Sequence, residues 1–135
     1  MAEHFSYKEK GVGSSPTVPT MDIKQLIQLQ LDSDKNLGFK NNRPHNLDDL
    51  AYSTIGITGE LGEFADLVKK KLRLEKYGKE RTDEKRKEFE LKMKEELVDV
   101  FIYLMKLAAI LEMDIEKEYL RKNRAVRKRY PSAKS

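Results

Sequence analysis

An all-α fold is what this sequence predicts, on three observations. Four segments carry apolar residues at three-and-four spacing, three of them begin at a residue suited to capping a helix, and no segment alternates as a strand would. At 135 residues and 39% hydrophobic content, the chain suits one domain with its own core.

Residues 1–20 hold Gly11, Gly13, Ser14, Ser15, Pro16 and Pro19 with little periodicity and are expected to form a flexible N-terminal arm. The helical domain is placed at 21–131, with 132–135 as a tail. The first helix is expected from Asp22, through Ile23, Leu26, Ile27, Leu29 and Leu31, to a stop near Gly38. A loop from Phe39 to His45 follows. Asn46, with an acid at Asp49, opens a second helix reaching about Lys76, and Gly78 then breaks the pattern. Thr82, Asp83 and Glu84 supply a cap and first-turn acids for a third helix lasting to about Glu112. Asp114 caps a fourth over Ile115 to Arg129, and Pro131 ends it.

The third helix limits the architecture. Between Asp99 and Glu112, only Lys106 carries a charge. A helix apolar nearly all round has to be covered on several sides, and one short chain supplies few neighbours. The expected architecture is a four-helix-type bundle completed by homo-oligomerisation, as a dimer or tetramer, around a central antiparallel hairpin turning near Gly78.

Charge and composition exclude several classes. There is no cysteine, so a disulfide framework, a thiolate metal site and a cysteine nucleophile are all ruled out. No run of eighteen apolar residues and no apolar leader occurs in the chain, which points away from a membrane and towards a cytoplasmic location. The net charge of +4 is concentrated at the end: Lys117 to Ser135 holds eight Lys/Arg against one acid, so the remainder is mildly acidic. No interleaved aromatics or base-reading motif accompany that segment, so nucleic acid is not the expected partner.

Two carboxylate pairs carry the chemistry. Glu60 and Glu63 are three residues apart in Glu60-Leu61-Gly62-Glu63, as are Glu96 and Asp99 in Glu96-Leu97-Val98-Asp99. Each pair therefore lies on one helix face. Taken singly, such pairs are ordinary on a solvated helix. Residue 79 or 80, beside Gly78, lies halfway between them, so a hairpin turning there sets Glu60 opposite Asp99 and Glu63 opposite Glu96. At about 100° per residue, both acids of the first pair border the stripe made by Leu50, Ile57, Leu61, Phe64 and Val68. Four acids beside a core raise one another's pKa values unless a cation neutralises them. Oxygen ligands alone favour Mg²⁺, with Mn²⁺ as the alternative. Gly59 and Gly62 each cost about 1 kcal/mol relative to Ala inside a helix and suggest a close approach there by ligand or backbone.

The runs GITGELGEFADLVKK, KEELVDVFIYLMKLA and KNRAVRKRYP resemble the MazG-type all-α nucleotide pyrophosphohydrolases, whose signature is ExxE followed by ExxD. The likeness spans about residues 46–131. It implies Mg²⁺-dependent hydrolysis of a nucleoside triphosphate to the monophosphate and pyrophosphate, with metal ligands at Glu60, Glu63, Glu96 and Asp99. It also implies phosphate contacts at Tyr103 and Lys122; where the family has an asparagine four residues after that lysine, this chain has Val126. Glu63 is the candidate general base. Arg129 and Lys106 are candidates to neutralise the leaving pyrophosphate. Base recognition is expected from Asn36 and Phe39, with Gln28, Asn41, Asn42 and His45 as further candidates. Two other readings stay open: a related pyrophosphatase acting on phosphoribosyl-ATP, and a non-enzymatic helical oligomer binding nucleic acid or a partner protein through its basic C-terminal segment.

Overall fold

The computed structural model describes residues 20–78 and 83–131. The expected arm over 1–19, the cap at Thr82, the inter-helix turn over 79–82 and the tail at 132–135 lie outside the described residues. Four helices make up the described chain: α1 (Ile23–Asn36), α2 (Leu47–Tyr77), α3 (Asp83–Ile110) and α4 (Ile115–Arg129). No strand occurs among the described residues, and no helix is long and apolar enough to cross a membrane.

Capping chemistry sets most of the boundaries. Asp22 and Gln25 form a reciprocal capping box at the start of α1. That helix ends in a Schellman motif, in which Gly38 N–H donates to Lys35 O and Phe39 N–H to Asp34 O. Gly38 is needed there, since its φ of +85° is costly for any residue with a Cβ. The Asn46 side chain accepts from Asp49 N–H at the head of α2, and Asp114 accepts from Lys117 N–H at the head of α4.

The third helix stops two residues before the expected end at Glu112. Glu112 N–H donates to Ala109 O and Met113 N–H to Ala108 O, which leaves Glu112 left-handed at φ +49°. A glutamate fills a position that usually takes glycine, so no stop signal is legible there.

The main packing is α2 on α3, with α1 laid on α3. Three pairings show that α2 and α3 run antiparallel: Arg86 bonds Glu75, Asp99 lies by Glu60, and Tyr103 lies on Gly56. A Cβ at Gly56 would overlap the Tyr103 ring, so glycine lets these helices approach at that level. The buried apolar residues among those described are only Met105, Ala108 and Ile110. Beside them lie Asp34, Asp49, Ser53 and Lys106, all buried. α4 buries no residue.

Candidate metal centre

The antiparallel register brings the acids of the two helices together. Glu60, Glu96 and Asp99 each offer a carboxylate oxygen within 4.8 Å of the others, and all three are half-buried in the α2–α3 seam. Glu63, the fourth expected ligand, lies outside that triad. It is exposed one turn along α2, close enough to Glu96 to perturb it.

Electrostatics mark the cluster as unneutralised by the chain. Burial pushes the Glu96 carboxyl up to about 7, helped by hydrogen bonding and charge from Glu63 and then Glu60. Burial also raises Glu60, as do the charges of Asp99 and Glu63, while a hydrogen bond with Glu96 acts the other way. Glu96 Oε2 is buried with no hydrogen-bond partner. Three hard oxygen donors, one of them from a carboxylate with an orphaned oxygen, fit a small divalent cation, which would favour the ionised forms of Glu60 and Glu96.

Beside the triad, a cavity of about 530 Å³ is lined by Gly59, Gly62, Glu63, Asp66, Leu67, Lys92, Glu95 and Glu96. That volume lies in the range of small-molecule sites. No backbone or side chain comes near Gly59 or Gly62, where an added Cβ would meet nothing within 4 Å. The expected close approach by backbone is therefore not found at these positions, and they border open space instead. The helix contact falls at Gly56. Lys92 is a pocket cation that the sequence reading missed, although its position four residues before Glu96 puts it on nearly the same face. It also pairs with Glu88 at 3.0 Å.

The other candidates scatter. Tyr103 is half-buried between Gly56 and Lys106, and burial followed by the neighbouring Tyr52 and Glu60 raises its hydroxyl pKa. Lys106, considered for the leaving pyrophosphate, is instead buried and paired with Asp34 at 3.1 Å. Asp34 also accepts from Gln30 at 2.9 Å and Asn42 at 2.7 Å. Those partners explain the correction: the ammonium is already committed. Among the base-recognition candidates, Gln28 bonds Asp32, His45 contacts Glu112 at 3.2 Å, and Asn36 and Phe39 are exposed. Asn41 and Asn42 each keep a buried side-chain oxygen without a partner. Lys122 and Arg129 are exposed on α4, and no α4 residue lines the cavity. A scan of protein-family models and a search of curated proteins both find no match to this chain.

Proposed function

We propose that this chain is a metal-dependent nucleoside triphosphate pyrophosphohydrolase of the MazG type, assembled as a dimer or tetramer and releasing pyrophosphate and a nucleoside monophosphate. The observation that carries the reading is the convergence of Glu60, Glu96 and Asp99, with Glu96 Oε2 left without a partner, next to an open cavity. The ExxE and ExxD motifs, which supply these acids, support it from the sequence.

In this reading Glu60, Glu96 and Asp99 hold Mg²⁺, or Mn²⁺. The bound cation would supply charge neutralisation for the phosphates and orientation of the attacking water. Glu63 faces the cavity one turn from Glu60 and serves as the base that takes the proton from that water. Lys92 adds positive charge at the cavity wall, and Tyr103 closes the seam behind the acids. Lys122 and Arg129 act on the pyrophosphate only if α4 is brought to the cavity, by a movement or from a second copy. Asn36 and Phe39 begin the surface offered to the base.

The test is pyrophosphate release from a panel of standard and damaged nucleoside triphosphates and phosphoribosyl-ATP, with Mg²⁺ and with EDTA, for the wild type and Glu63→Gln. The expected result is metal-dependent release from at least one substrate and a large loss in the variant. No release from any substrate defeats the reading. The exposed basic α4 favours one alternative, a non-enzymatic oligomer binding nucleic acid or a partner; for nucleic acid, affinity would fall steeply with salt and turnover would be absent.

A further inference from the structure

A second cavity lies further along the α2–α3 seam, and nothing in the acid site uses it. Its volume is about 300 Å³, and Leu74, Lys85, Glu88, Phe89 and Lys92 line it. That is the lower end of the range for small-molecule sites. Lys92 belongs to both cavities, and its ammonium reaches Glu88 at 3.0 Å, on the side of the second. Lys85, Phe89, Lys92 and Glu96 follow one another at three-and-four spacing along one face of α3. The two cavities are therefore successive parts of one groove along the hairpin.

The groove changes character along its length. Around Glu60, Glu96 and Asp99 it is acidic, with Glu63, Asp66 and Glu95 in the adjoining wall. Lys92 brings the first positive charge. Beyond it, the half-buried Leu74 and Phe89 supply an apolar wall beside Lys85. A pyrophosphate gains nothing from such a wall, whereas a nucleobase stacks on an aromatic ring and keeps its polar edge towards charge or water. Phe89 lies about 15 Å along α3 from Asp99. In the other direction, Lys106 lies about 10 Å from Asp99. It holds Asp34, whose backbone carbonyl accepts from Phe39 N–H. The acids thus stand between two aromatic residues, Phe39 and Phe89.

We infer that the second cavity receives the base of a second nucleoside, so that the preferred substrates are dinucleoside polyphosphates, with one base at Phe39, the phosphate bridge along the acids and Lys92, and the other base at Phe89. This role rests on the pyrophosphohydrolase reading of the acids. A ligand gripped at both ends gains affinity that a triphosphate, gripped at one, lacks. Hydrolysis of a dinucleoside tetraphosphate follows the step proposed above. The water oxygen joins the phosphorus next to one nucleoside, and the bridging P–O bond breaks with its electron pair going to the leaving oxygen. One water proton goes to Glu63, and the other stays on the new monophosphate until it ionises. A nucleoside triphosphate leaves in place of pyrophosphate.

Calorimetric titration of the full chain in Mg²⁺ tests the assignment. The ligands are dinucleoside tetraphosphates, one for each common base, and the matching triphosphates, all with methylene at the bridging positions open to cleavage. At least one dinucleoside ligand is expected to bind at least tenfold more tightly than its triphosphate. Phe89→Ala should erase that difference without changing triphosphate affinity, and Leu91→Ala, exposed on another face of α3, should leave both affinities unchanged. Equal affinities for every base, or an advantage that survives Phe89→Ala, overturn the inference. Should Phe89→Ala lose its helical circular dichroism, Phe89→Trp decides, since the chain has no tryptophan of its own. Its emission should be quenched by the dinucleoside ligand and not by the triphosphate; quenching by both or by neither overturns the inference. If triphosphates are hydrolysed while the dinucleoside ligands show no advantage, the inference alone fails. If neither class is bound or hydrolysed, the reading of the acids fails with it.

Discussion

Two charge clusters stand two turns apart on α3, and the fold treats them in opposite ways. At Lys106 the buried ammonium is answered fully: Asp34 pairs with it, Gln30 and Asn42 satisfy the carboxylate, and the Tyr103 ring lies 5.0 Å away. At Glu96 and Asp99 the opposing helix contributes Glu60, another acid, and one Glu96 oxygen is left without a partner. The fold compensates one internal charge with its own residues and brings only further acids to the other. The difference between the clusters is the physical case for a cation at the second.

The largest expected effect breaks the second cluster. Glu96→Gln removes a ligand charge and should lower Mg²⁺-dependent turnover by about a thousandfold or more, while raising the melting temperature of the metal-free protein because carboxylate repulsion is relieved. Differential scanning fluorimetry with Mg²⁺ and with EDTA should show a metal-induced rise for the wild type and little or none for the variant. A variant as active as the wild type would remove Glu96 from the site.

Breaking the first cluster should instead destabilise the protein. Lys106→Met strands Asp34 inside the fold and is expected to cost about 3–5 kcal/mol in urea unfolding, the usual penalty for removing one partner of a buried pair. Pairing it with Asp34→Leu should recover much of that loss. If the single variant is neutral, the pair is not the anchor of α1 on α3 that its burial indicates.

Much of this contrast could be read in the sequence, and the limits have definite causes. The acid register followed from the spacing of Glu60, Glu63, Glu96 and Asp99 about Gly78, because antiparallel helices pair residues by arithmetic. The same arithmetic sets Gly56 opposite Tyr103, so the close contact was available to a reader who applied it there rather than to Gly59 and Gly62. The exception at Lys106 was visible as the lone charge in an apolar run. Its partner was not, since Asp34 lies in an amphipathic helix whose acids look solvated until α1 is placed on α3. Lys92 was hidden for a similar reason: a lysine among charges on a helix declares nothing until the cavity beside it exists.

Gly56→Ala probes the boundary between the clusters. The added methyl overlaps the Tyr103 ring, so α2 and α3 must separate or the ring must turn, at about 1–3 kcal/mol of overpacking strain. Because Glu60 and Asp99 lie about one turn beyond this contact, metal-induced stabilisation should weaken as well. Gly59→Ala, which meets open space, is the control and should leave thermal stability unchanged or slightly raised.

A third carboxylate extends the comparison to pH. Asp49 is buried near the head of α2, as Glu96 is partly buried on α3, but its environment is reversed. Arg43 donates to both Asp49 oxygens at 2.9 Å from its guanidinium, and its backbone N–H adds a third bond. The Arg43 hydrogen bonds, outweighing burial, hold the Asp49 carboxyl below its usual 3.8. A carboxyl depressed in the folded state contributes stability that is fully present above its unfolded pKa and is lost as pH falls through the folded one. Acid titrations followed by circular dichroism should therefore show Asp49→Asn less stable than wild type at neutral pH, with the two curves converging below about pH 4. Glu96→Gln should differ from wild type in the opposite sense, with its advantage in EDTA growing as pH rises towards 7 and the wild-type acids ionise against one another. Parallel curves for both variants would mean that the two carboxylates share one electrostatic environment, and the distinction between a compensated carboxylate and an uncompensated one would fail.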